Sequence, residues 1–406
     1  MSVRPGPLDG MVVLDLTQML SGPFCTLLLA DMGADVVKIE KPPMGDDSRT
    51  FGTYKIKGES APFLMVNRNK RGVVLNLKAP EGKETLKRMV KKADVLVENF
   101  RPGTMDSLGL GYEALKEANS TLIYCAISGF GQTGPYRDRG GFDLVAQGMS
   151  GLMSLTGFPD SPPVKMGVAV TDLNAGILGS QGILCAYVQK LKSGEGQMVD
   201  TSLLEAGVAY TFWEAAIFFS TGEVGQPMGS AHRLSAPYQA LKAKDRYFTM
   251  GAANQPNWER MCHAIGRADL MEDPRFRTNV DRLSNYQELA AVLEQELSKK
   301  PADYWLALLE RAGVPAGPIY TVDEVYRDPH LLERGMITEV EHPTAGRLQQ
   351  LGIPVKLSLT PGRVRRSAPL LGQHTVEVLH EFGFAREEVS SLLQKGVAHQ
   401  WSGPKQ

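Results

Sequence analysis

A carboxylate that opens a helix directly after an apolar extended run can act as a nucleophile, and Asp172 in VKMGVAVTDLNAGILGSQG stands at such a junction. The helix dipole favours its ionised form, and the bare N–H groups of the first turn lie where an oxyanion would develop. An enzyme that uses Asp as a covalent nucleophile needs both features. The same position also suits a plain N-cap, in which the carboxylate only accepts hydrogen bonds from those N–H groups.

Ten basic residues, Lys38, Lys41, Arg49, Arg68, Lys70, Arg71, Lys78, Arg101, Arg137 and Arg139, fall on or near loops that follow apolar runs. Singly each reads as a solvated rim charge. As a set they suit a ligand with several phosphates, and coenzyme A, with a diphosphate and a 3′-phosphate, is one. In VENFRPGTMDSLGLGYE, Asn99 and Phe100 either hold an adenine or pantetheine group or form an ordinary strand-to-helix connection. His232 and His374 have no Ser, Cys or carboxylate partner at an interpretable spacing, so both read as structural and no triad is placed.

The elements that must position these groups are legible in the first 130 residues, where the runs MVVLDL, ADVVKIE, GVVLNL, DVLVENF and TLIYCAIS alternate with helical patterns. Continuous apolar strands joined by amphipathic helices predict parallel strands with crossover helices, hence an α/β fold built on a Rossmann-like open sheet. Gly33 marks a helix end, and Pro80 with Glu81 a helix start. In such sheets ligands collect beyond the carboxyl ends of the strands, at Thr17 to Gly22, Glu40 to Asp47, Glu98 to Gly103 and Ser128 to Gly134. The first of these turns reads TQMLSGP, and neither GxGxxG nor GxxxxGK[ST] occurs, so dinucleotide and P-loop sites lack their loops. A Gly- and Ala-rich helix is expected from Asp172 to Lys192, small residues there allowing close helix approach, and another from Leu203 to Thr221. The expected organisation is a large domain over residues 1–200, a linker helix and loop at 201–237, a small α+β domain at 238–328, and a return to the large domain over 329–406.

Lys and Arg total 44 against 45 Asp and Glu, so no global field recruits nucleic acid or an anionic membrane. The four cysteines are widely spaced, which fits neither a metal cluster nor a redox pair. With no signal-like or membrane-spanning run, the chain is expected to be cytoplasmic.

Taken together, VLDLTQMLSGPFCTLLLADMGADVVKIEKP, NRNKRGVVLNLK, VENFRPG, SGFGQTGPYRDRGGFDLVAQGMSG, AVTDLNAG, GEGQMVDTSLLEA, GVPAGPI and APLLGQHTVEVL resemble the signatures of class III CoA-transferases, the formyl-CoA and carnitine CoA-transferase family, over nearly the whole chain. The resemblance implies an interlocked homodimer, no permanently bound cofactor, no metal, and a coenzyme A thioester as substrate. It places the family's nucleophilic aspartate at Asp172, and coenzyme A contacts at Met19, Ser21, Lys41, Leu75, Lys78, Asn99, Phe100 and Arg101. Leu20, Gly140, Phe142 and Ser107 depart from the formyl-CoA transferase pattern, and MGSAHRLSAPYQALKAKD replaces its glycine-run loop, which argues against formyl-CoA and oxalate as substrates. The replacement is similar to that of members acting on dicarboxylates, often with succinyl-CoA as donor. Arg49, Arg71, Phe142, His232 and Arg233 are then candidate acceptor-site residues, arginine matching a carboxylate in a bidentate fork.

Three rival readings remain. A 2-methylacyl-CoA racemase shares the fold but needs a titratable His where GGFD has Phe142. A subunit of a heteromeric transferase, and a nucleotide-binding oxidoreductase lacking its glycine fingerprint, are the others.

Overall fold

The computed structural model describes residues 5–403. Its central element is a seven-stranded sheet. In chain order the elements that build it begin with β1 (Val12–Asp15), α1 (Ser21–Asp31), β2 (Asp35–Glu40), β3 (Lys70–Leu75), α2 (Pro80–Val90), β4 (Val95–Glu98) and β5 (Ile123–Ser128). Then come α3 (Asp143–Met149), α4 (Val170–Ser193), β6 (Met198–Ser202), α5 (Leu203–Val208), α6 (Phe212–Thr221), α7 (Thr375–Glu381) and β7 (Ala398–His399). The strands lie in the order β7-β3-β2-β1-β4-β5-β6, with β1 to β6 mutually parallel and β7 antiparallel at the edge. All six residues of β3 and of β5 are buried, as strands covered on both faces must be, and this is why the expected runs are predominantly apolar, Lys70 and Arg71 at the start of β3 being buried with carboxylate partners.

Helix α1 ends ahead of Gly33, whose φ of +114° suits a residue without Cβ, and α2 starts at Pro80, where its missing N–H costs nothing. The small residues of α4 let it press on α1: a Cβ at Gly176 would lie 2.7 Å from the Ser21 carbonyl oxygen. The expected helix from Leu203 to Thr221 is divided into α5 and α6 by a 3-10 turn at Ala209–Thr211.

The chain forms two compact units. The larger takes residues up to Leu152, Lys165–Ser220 and everything from His330 onward. Its closing segment returns to the sheet: His374 donates its N–H to the Gly72 carbonyl, and the Gly72 N–H donates to His374 Nδ1 at 3.1 Å, a structural engagement of that ring. The second unit takes Met153–Val164 and Thr221–Pro329, with a three-stranded antiparallel sheet of Tyr238–Lys242, Tyr247–Gly251 and Ala316–Pro318 and a core centred on Phe248, Trp258 and Phe276. Among the described residues no helix is long and apolar enough to cross a membrane.

Candidate active site

Strand order reverses between β2-β1 and β4-β5, and the loops leaving β1 and β4 diverge there, which opens a crevice at the carboxyl ends of the strands. A cavity of about 710 Å³ lies at this point, walled by Gln18–Ser21, Asn99–Pro102, Ser128–Gly129, Arg139–Leu144, Ala169 and Asp172.

The first loop is pinned from two sides. Asn99 accepts the Gln18 N–H at Oδ1 and donates to the Gln18 carbonyl through Nδ2, each at 2.8 Å, so its amide joins the two diverging loops. Met19 adopts φ of +67°, unfavourable for a residue with a Cβ, and its N–H donates to Asp46 Oδ1 at 3.0 Å. Asp46 is paired at 2.9 Å with Lys38, both side chains being inaccessible. Burial alone would raise the Asp46 carboxyl, but Lys38 and the surrounding donors bring it below the usual carboxylate range, so it stays an anchor for the loop.

Asp172 occupies the first turn of α4, three residues beyond the N-cap Ala169, so the plain N-cap reading does not hold. The capping is done from outside. Asp143 Oδ1 accepts the Thr171 N–H at 3.0 Å and the Thr171 hydroxyl at 2.7 Å, while Asp143 Oδ2 accepts Gln147 Nε2 at 2.7 Å. The half-buried Asp172 carboxyl is pushed up to about 7, first by burial and then by the Asp143 charge. Expectation from the helix dipole alone was a firmly ionised group; desolvation outweighs that pull.

Of the residues singled out in the sequence, the structure brings Met19, Ser21, Asn99, Phe100, Arg101, Phe142 and Asp172 to one cavity. Phe142 is 75% exposed there. Lys41 is exposed and turned to Asp47 at 2.6 Å and the Gln18 side chain at 3.3 Å. Lys78 is exposed outside the lining, and Leu75 is 1% exposed in the sheet's core and does not line the cavity either. Arg49 forks onto Glu40 at 2.6 and 2.7 Å, and Arg71 is held by Asp35, Glu377 and Glu381, so neither guanidinium is free to receive a carboxylate and neither lines the cavity. His232 and Arg233 belong to the second unit, where His232 Nδ1 accepts the Leu234 N–H at 3.0 Å and Arg233 pairs with Glu223 at 2.9 Å. Much of the basic set is likewise neither rim nor phosphate site: Lys70 pairs with Asp15 and Arg68 with Asp31, all four side chains at least 96% buried. Sequence reading passed over Asp143 and Gln147, for a carboxylate and an amide one helical turn apart carry no signal until α4 is packed beside them.

Residues 8–375 match the sequence profile of CoA-transferase family III. The chain belongs to that family. It is 40% identical over 395 residues to human succinyl-CoA:glutarate CoA-transferase, covering 97% of this chain and 90% of the relative. It is 40% identical over 379 residues to acetyl-CoA:oxalate CoA-transferase of Acetobacter aceti, covering 93% of this chain and 96% of that one. A CAIB/BAIF family protein from Brucella suis superposes with a TM-score of 0.84 at 38% identity, over 93% of this chain and all of that one. The protein is therefore a CoA-transferase, an enzyme whose substrates are CoA thioesters and carboxylic acids, and the cavity at the strand ends is its candidate active site.

Proposed function

We propose that this CoA-transferase moves CoA from a dicarboxyl-CoA donor such as succinyl-CoA to a carboxylic acid acceptor, with Asp172 as the covalent nucleophile. One observation carries this: of the three carboxylates that line the cavity at the sheet's diverging loops, Asp47 is paired with Lys41 and Asp143 is engaged by Thr171 and Gln147, whereas Asp172 stands half-buried in the first turn of α4 with no ion pair among the described residues. Asp172 Oδ attacks the thioester carbonyl, the C–S bond breaks, and CoA leaves as thiolate, giving an aspartyl mixed anhydride. The thiolate then attacks the aspartyl carbonyl, releasing the donor acid and leaving an aspartyl-CoA thioester. An acceptor carboxylate reverses the two steps. No proton or water is consumed, so a closed, dry cavity favours transfer over hydrolysis. The cavity lining contains no histidine, so the His and Asp pair of a racemase is incomplete there.

Dicarboxylates are favoured by the relatives' substrates and by the cavity's own cations. Arg101 and Arg139 line it, and among the described residues neither is in an ion pair. Arg139 is steadied over the Tyr136 ring at 4.0 Å. Either guanidinium can take a distal carboxylate or a CoA phosphate. The glutarate and oxalate relatives are equally similar in identity, so identity does not choose the acid. A panel of acyl-CoA donors against C2 to C8 mono- and dicarboxylates is the direct test. Fastest turnover with succinyl-CoA and a dicarboxylate longer than oxalate is expected; preference for formate, oxalate or monocarboxylates would sink the assignment.

Attack requires the ionised Asp172. Its carboxyl sits at about 7, so kcat/KM for the acyl-CoA should rise with pH up to that value and level off above it, falling about tenfold per unit below. A profile flat from pH 5 to 8 would contradict this.

The assembly proposed is the interlocked homodimer. Helix α6 presents Phe212, Trp213 and Phe219 at 78%, 72% and 82% exposure, an apolar face that a lone chain would leave in water. Light scattering of the purified chain should return twice its mass. A monomer that transfers CoA at full rate would rule the dimer out as a requirement.

A further inference from the structure

We propose that Gln147 is a positioning residue for Asp172, acting through Asp143. This rests on the reading of Asp172 as the nucleophile. Gln147 lies on α3 and is 1% exposed, yet its side chain faces three polar groups at once. Nε2 donates to Asp143 Oδ2 at 2.7 Å and to the Val168 carbonyl at 3.3 Å, and Oε1 accepts the Met166 N–H at 2.9 Å. The amide can sit only this way round. Flipped, it would aim its oxygen at the Asp143 carboxylate and its NH2 at the Met166 N–H.

The remaining Asp143 oxygen holds Thr171 by both its N–H and its hydroxyl. Thr171 is fully buried and directly precedes Asp172. One amide thus grips the approach to α4 at residues 166 and 168 and, through one carboxylate, the first turn of α4 itself. The segment ahead of a nucleophile is where small errors matter, since a displacement of about 1 Å can cost a hundredfold in rate. A buried amide satisfied on every side and joined to a satisfied carboxylate defines one geometry; half satisfied, it would loosen the turn.

Exchanging donor for acceptor along this pair separates position from charge. In Asp143→Asn, Oδ1 still accepts from Thr171, but Nδ2 confronts Gln147 Nε2, donor against donor. Adding Gln147→Glu restores the bond in reverse and keeps an acceptor for Met166, at the loss of the longer bond to the Val168 carbonyl, which is why recovery is expected to be incomplete. The rate at which donor acyl-CoA modifies Asp172 is followed by single-turnover mass spectrometry, with kcat and the acyl-CoA KM. Asp143→Asn is expected to slow both rates about 30-fold, and the double variant to recover at least about tenfold, with KM within about threefold throughout.

A double variant as slow as Asp143→Asn would mean that the Asp143 charge itself is needed, and would overturn the proposal, as would a single variant at the normal rate. If the wild-type protein shows no adduct on Asp172, the nucleophile assignment fails first and the clamp with it. Should circular dichroism show Asp143→Asn unfolded, Thr171→Val and Thr171→Ser replace it. Loss of rate in Val but not in Ser supports the clamp; equal rates overturn it.

Discussion

Asp172→Ala is expected to abolish CoA transfer, lowering kcat by on the order of 10³-fold or more, while acyl-CoA binding changes by less than about threefold. The asymmetry follows from where the carboxylate stands. Coenzyme A would be held chiefly by the loops after β1 and β4, whose geometry is set by Asn99, Asp46 and Lys38 rather than by Asp172. Removing the carboxylate deletes the atom that forms the anhydride and leaves those loops intact. It also removes a charge held partly desolvated beside Asp143, so folding stability should not fall. Steady-state transfer and calorimetric titration of CoA on the same preparation check both halves. Transfer at the normal rate would remove Asp172 from the mechanism; loss of binding together with rate would make it a ligand contact instead.

The second large effect is expected at Gly176→Val, a residue outside the cavity lining. A Cβ there would come within 2.7 Å of the Ser21 carbonyl oxygen and 3.2 Å of the Cys25 nitrogen, both backbone atoms of α1. Backbone cannot swing aside as a flexible side chain would, so α1 and α4 must separate. These helices begin at the two walls of the cavity, α1 with Ser21 and α4 just ahead of Asp172. Separation moves nucleophile and loop apart, and kcat should fall about a hundredfold. Overpacking of this kind also costs about 1–3 kcal/mol, which thermal unfolding reads as a lowered Tm. Gly176→Ala should show the same two effects more weakly. If the Val variant keeps both kcat and Tm, the helices do not approach as described.

Along the chain, the parts legible without a structure were those governed by local pattern. Strands covered on both faces are predominantly apolar, so β1 to β5 stood out as β-branched runs, and Gly33 and Pro80 marked helix limits through their own backbone chemistry. Family and enzyme class were legible as well, because many short segments kept their order across nearly the whole chain.

Charges were the part that misled. Lys38, Arg49, Arg68, Lys70 and Arg71 looked like a ligand's phosphate set, and each is instead spent on a protein carboxylate. The partners of Arg68 and Lys70 lie 37 and 55 positions away in sequence. Nothing local distinguishes a cation waiting for a ligand from one neutralised by a distant Asp, because both decide where they go only when burial makes an unpaired charge costly.

By itself, then, the sequence determined the strand order's raw material, the family and the residue on which acyl transfer is proposed to turn. Tertiary structure alone decided how that residue is held. Asp143 reaches Thr171 across 28 positions and Asn99 reaches Gln18 across 81, and the raised carboxyl of Asp172 exists because folding takes water away from it and, to a lesser degree, sets a second carboxylate beside it. Periodicity encodes which faces a chain buries; it carries no record of which polar atoms meet once they are buried.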